Sequence, residues 1–60
     1  MGEAMTKNEA QRTFERDIRP YLQHQDRVAV RTAWNDFTDA LCKAGQISQR
    51  QYETWGNPYL

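Results

Sequence analysis

Cysteine is nearly missing from this 60-residue chain, and with Cys42 alone no internal disulfide can form. The staple on which most small secreted domains depend is therefore excluded, and a reducing, cytoplasmic setting is expected. Histidine is equally scarce. His24 has no second histidine or cysteine at ligand spacing, so it reads as a surface loop residue rather than a metal ligand or a general base. An excess of one charge is also lacking: eight Lys and Arg face eight Asp and Glu, for a formal net charge of zero. No dominant field draws the chain toward nucleic acid or membrane, although neutrality favours self-association. No apolar run approaches the roughly 20 residues that cross a bilayer, and no signal-peptide core lies near the start.

What is present is a polar chain with a mean hydropathy of −1.01 that still carries two Trp, three Tyr and two Phe. A chain this short buries only about 60% of its unfolded surface, so its core is thin and rests on these rings. Residues 1–5 are expected to be a flexible N-terminus, and residues 6–60 a single domain. Within the first segment, Met1-Gly2-Glu3-Ala4-Met5-Thr6 matches a myristoylation pattern. The pattern is short, and the polybasic patch that a single acyl chain needs is missing. Thr6 and Glu9 then form a capping box that starts a helix. Ala10, Phe14 and Ile18 recur every four residues along one face, while Arg12, Arg16 and Arg19 fall on the other. Pro20 breaks or kinks this helix, and a restarted turn through Gln23 would keep Tyr21 in phase with the apolar stripe.

Asp26 is placed to cap a second helix whose apolar face runs Val30, Ala33, Trp34, Phe37, Ala40, Leu41 and Ala44. Thr32, Asp36, Asp39 and Lys43 lie on its far side and Cys42 on the flank. Gly45 stops the helix in the left-handed conformation. Ser48 and Gln51 form a second capping box, with Ile47 and Tyr52 placed as a hydrophobic staple, and Trp55 turns inward beside Tyr52. Gly56-Asn57-Pro58 closes the short third helix, beyond which Tyr59 and Leu60 fold back on the hairpin or stay mobile. The expected fold is all-α, a three-helix domain built on a helix–glycine turn–helix hairpin. Its helices cover residues 6–22, 27–44 and 49–55, and its core is Phe14, Ile18, Trp34, Phe37, Leu41, Ile47, Tyr52 and Trp55. Tyr21, Val28, Ala29 and Tyr59 are left as spare apolar surface.

Three motifs point to specific chemistry. The run Gly45-x-Ile47-Ser48-x-x-Gln51 has the shape of half a calcium loop, but Ala40, Cys42 and Ala44 stand where oxygen ligands are required and Gln51 where a glutamate is. No metal or cofactor is expected. Gln49, Arg50 and Gln51 open a helix after a turn, as in a helix-turn-helix reading base edges. Against that, Gln51 and Thr54 occupy positions that such motifs bury, and zero net charge removes the phosphate attraction. Asp36, Asp39 and Glu53 have no evident cleft in which to shift their pKa values, so catalysis is not expected. The arginine stripe is suited to carboxylates or phosphates, against which stands an i,i+4 pair of Arg19 with Glu15 on a solvated face.

The series Trp34-Asn35-x-Phe37-x-Asp39-x-Leu41, followed by Gly45-x-Ile47-Ser48-x-x-Gln51-Tyr52-x-x-Trp55-x-Asn57-Pro58, resembles small uncharacterised helical proteins encoded by bacteriophages and plasmids. The resemblance covers about half the chain and lies in the hairpin. It implies a mobile-element accessory product that binds a host protein or itself. The expected function is a non-enzymatic interaction protein whose contact residues are Arg12, Arg16, Arg19, Tyr21, Val28 and Tyr59. The alternative is a small DNA-binding regulator using Gln49, Arg50 and Gln51.

Overall fold

The computed structural model describes residues 5–59, and within them the chain forms three α-helices and no strand. Helix α1 spans Lys7–Asp17, α2 spans Arg27–Lys43 and α3 spans Gln49–Trp55, with a single 3-10 turn, Arg19–Tyr21, between the first two. This is the all-α, three-helix architecture that the periodicity implies. Helix α1 begins where the capping box places it: the Glu9 amide donates to Thr6 Oγ1 at 3.2 Å and the Thr6 amide to Glu9 Oε1 at 2.9 Å. The bond pattern holds the Glu9 carboxyl below its usual range, chiefly through the Thr6 backbone.

Pro20 sets the end of α1. Helical bonding stops at Ile18, whose amide still reaches the Phe14 carbonyl, and the chain tightens into the 3-10 turn. Its three-residue period rotates Tyr21 out of the stripe that an α-helix would have preserved, and the side chain is 81% exposed. Helix 1 is therefore shorter than the expected 6–22, and Leu22 takes the inward position instead. Gln25 closes the connection by donating to the Arg19 carbonyl at 2.7 Å and the Leu22 carbonyl at 3.3 Å.

Helix α2 carries the core. Val30 and Trp34 are buried on it, packed with Ala10 and Phe14 of α1, and Phe37 and Leu41 are partly buried against them. Trp34 meets the edge of Phe14 with ring centroids 5.4 Å apart at 87°, a favoured aromatic geometry. Two details differ from the sequence reading. Ala40 and Ala44 are exposed, and the next turn of the buried face is Thr38, only 5% exposed. Its hydroxyl donates to the Trp34 and Asn35 carbonyls at 3.1 and 3.2 Å, which makes burial of a polar residue tolerable. Asp26 occupies the N-cap position with extended backbone, yet its side chain makes no capping hydrogen bond.

The corner between α2 and α3 is a paired C-terminal lock. The Gly45 amide bonds the Cys42 carbonyl at 3.1 Å and the Gln46 amide bonds the Leu41 carbonyl at 2.9 Å, with Gly45 at φ 79°. Ile47 is buried immediately after it. Ser48 and Gln51 then complete the second capping box at 3.0 and 2.8 Å. Trp55 packs inward, but Tyr52 does not join the core: it is 36% exposed, because a seven-residue helix offers one narrow inner face.

Met5, at the edge of the segment expected to be flexible, is tied to this corner. Its amide donates to the Gln46 carbonyl and its carbonyl accepts from Gln51 Nε2, both at 3.0 Å. Met1 to Ala4, with the glycine of the myristoylation pattern, and Leu60 lie outside the described residues.

Candidate functional site

The polar and aromatic residues singled out from sequence fall into three groups. The first is the arginine series. Because α1 ends at Asp17, Arg12, Arg16 and Arg19 do not share one helix face. Arg16 turns to its neighbour Asp17, with Nε–Oδ1 and Nη2–Oδ2 distances of 3.0 and 2.9 Å. The contact lowers the Asp17 pKa and raises that of Arg16 from their ordinary values, but both groups are solvated and the pair adds little stability. Arg19 instead reaches back to Glu15 at 2.8 and 3.1 Å. Arg12 stays exposed.

The second group surrounds Tyr59. Gly56 adopts φ 68° and ψ −168°, a region that is essentially glycine-only, and turns the chain back across α2. Its carbonyl accepts the Trp34 indole N–H at 3.2 Å. Asn57 then uses its whole carboxamide: Nδ2 donates to the Arg31 carbonyl at 3.0 Å and to Asn35 Oδ1 at 3.1 Å, while Oδ1 accepts the Tyr59 amide at 2.9 Å. The resulting Asx turn around Pro58 lays the Tyr59 ring 5.3 Å from Phe14 and 5.8 Å from Trp34, with the Arg19 guanidinium carbon 5.7 Å from the ring centre.

The Tyr59 hydroxyl donates to Glu15, which already holds Arg19. Burial, then the adjacent carboxylate, push the phenol pKa up to about 12, and the phenol bond is the main reason the Glu15 pKa is lowered. Tyr59 is thus a half-buried tie between the chain's last turn and α1, and not the spare surface expected of it. Residues 56–59 form a strap, and Asn35, Arg31 and Glu15 are its seats. Sequence reasoning missed these seats because each contact joins residues 22 to 44 positions apart.

The third group is the start of α3. Gln51 is consumed by folding, with its Oε1 in the capping box and its Nε2 on Met5. Gln49 Nε2 pairs with Glu53 at 3.0 Å, and only Arg50 of the expected base-reading trio has no side-chain bond among the described residues. Asp39 pairs with Lys43 at 2.9 Å on the exposed flank of α2. Among the described residues, no group of three His, Cys, Asp or Glu could hold a metal ion, and no helix is long and apolar enough to cross a membrane.

Three large side chains are exposed: Tyr52 on α3, and Tyr21 and Val28, 81% and 56% exposed at the two sides of the α1–α2 connection. The fold defines a small helical domain in which the ring contacts among the described residues all involve Phe14 or Trp34, while Tyr21 and Val28 are the most exposed large apolar side chains. Comparison with known protein families, with curated proteins and with solved structures gives no match.

Proposed function

We propose that the protein is a non-enzymatic interaction module, an accessory product of a phage or other mobile element that binds a host protein or a second copy of itself in the cytoplasm. The observation that supports this reading most is the exposure of Tyr21 at 81% and Val28 at 56%, in a chain that gathers Phe14, Trp34, Phe37, Trp55 and Tyr59 into one thin core. Ordering an apolar ring in water brings no stability, whereas the same ring in an interface contributes as an anchor. Arg12 and Arg16, on the exposed side of α1, would supply the polar rim. The regulator reading keeps exposed Arg50 but loses Gln51 to its capping duty.

The test is affinity capture from the native host, with sedimentation equilibrium for self-association, using the unaltered chain and the double variant Tyr21→Ser, Val28→Lys. The variant is expected to retain its helical circular dichroism and to lose the partner or the dimer. Undiminished capture by a folded variant would remove these residues from the interface. Titration of random duplex DNA at low ionic strength is expected to give no binding, and a steep salt slope would favour the regulator instead.

A further inference from the structure

The strap lies on α1 and α2 as a peptide lies in a recognition groove, with its Gly56 carbonyl and both polar side chains met by complementary groups. The Gly56 carbonyl takes the Trp34 indole N–H, the Asn57 carboxamide gives its hydrogens to the Arg31 carbonyl and Asn35, and the Tyr59 phenol gives its hydrogen to Glu15. The Tyr59 ring sits among Phe14, Trp34 and Arg19, while Pro58 is exposed. Beyond Gly56, which caps α3, residues 57–59 terminate no helix. Helix α2 is closed by the Gly45 lock, α3 is opened by Ser48 and Gln51, and Ile47 and Trp55 fasten the corner to the core. Lifting residues 57–59 therefore leaves the helix caps in place and uncovers the edge of the Phe14–Trp34 pair.

We propose that the α1–α2 groove is a binding site for an Asn-Pro-Tyr turn of another polypeptide, and that Asn57–Tyr59 is the cis occupant holding it closed. The specificity follows from the seats. Two acceptors, the Arg31 carbonyl and Asn35 Oδ1, together select a carboxamide, and Glu15 beside an aromatic pocket selects a phenol over a phenyl ring. Proline fits between them because Pro58 donates no hydrogen bond in the strap and its φ is set in advance. The tethered strap competes at the high effective concentration of an intramolecular ligand, so an outside segment binds only when the strap is weakened or the segment makes added contacts. This site does not depend on Tyr21 and Val28 being an interface.

The probe is the end-blocked tetrapeptide Gly-Asn-Pro-Tyr, titrated into the full chain and into its Asn57→Ala variant while the Trp34 indole N–H resonance and helical circular dichroism are followed. The variant is expected to keep its helical signal and to bind the tetrapeptide saturably, at least about tenfold more tightly than the unaltered chain does. Replacing the peptide's Asn by Ala should forfeit a similar factor. Loss of helical signal in Asn57→Ala would overturn the proposal, since the strap would then be part of the fold rather than a detachable ligand. A folded variant that binds no tetrapeptide, or equal binding by both chains, would overturn it as well.

Discussion

The α2–α3 corner and the C-terminal strap are both short connections built on a glycine with positive φ, yet they hold the molecule in opposite ways. At the corner, the turn and capping bonds close within a few residues, Gly45 to Cys42, Gln46 to Leu41 and Ser48 to Gln51, and Met5 alone reaches it from far along the chain. In the strap, Gly56, Asn57 and Tyr59 bond to Trp34, Arg31, Asn35 and Glu15, residues far back in the chain. The corner shapes a hairpin that has little choice of geometry. The strap adds long-range contacts from outside the core, resting on α2 through Asn57 and on α1 through Tyr59.

Trp34 is where the two systems meet, since it is 1% exposed and also donates to the strap. Trp34→Ala should therefore break both, at a cost of about 3–5 kcal/mol, enough to abolish cooperative unfolding in a domain this small. Its thermal melt is expected to lose its sigmoidal transition. A smaller effect separates the regions. At Gly45 and Gly56 an added Cβ meets nothing within 4 Å, so alanine there tests backbone strain alone. Each substitution should cost about 1–3 kcal/mol. Gly45→Ala should lower the midpoint of the helical melt, whereas Gly56→Ala should mainly change the fluorescence of Trp34 by freeing its indole N–H.

The smallest expected effect is Tyr59→Phe, at under about 1 kcal/mol because the phenol–carboxylate bond is partly solvated. It carries a pH signature. The Tyr59 pKa is raised in the fold, so the neutral phenol is the stabilised form. Its contribution is present below the ordinary value of 10 and is lost as pH rises from there through about 12. The Glu15 pKa is lowered, so its contribution is present above the ordinary 4.5 and is lost as pH falls through the folded value. Denaturant melts of Tyr59→Phe should lose the alkaline decline and keep part of the acid one, since Arg19 still pairs with Glu15.

The same contrast explains what the sequence disclosed. Both capping boxes, the glycine stop and the apolar stripe of α2 are local patterns, with partners three or four residues apart, and a one-dimensional reading recovers them. Thr38 escaped because its hydroxyl reads as polar, although it continues the four-residue spacing of Val30 and Trp34 and satisfies itself on the preceding turn. Helix 1 ends before the expected residue 22 because the change from α to 3-10 period after Pro20 alters the face of every following residue, and Tyr21 is exposed, as its place among the spare apolar surface implies. Tyr52 was placed in the core from its staple position, where the short α3 leaves it outside. The Asn-Pro exit had no local rationale, and its purpose emerges only when Asn35 and Arg31 are brought beneath it.

The docked strap is tested most directly by nuclear Overhauser contacts in the full chain. Cross-peaks from the Tyr59 ring to the rings of Phe14 and Trp34 are predicted, consistent with centroid separations of 5.3 and 5.8 Å. A Tyr59 ring with random-coil shifts and no contact to either would contradict it.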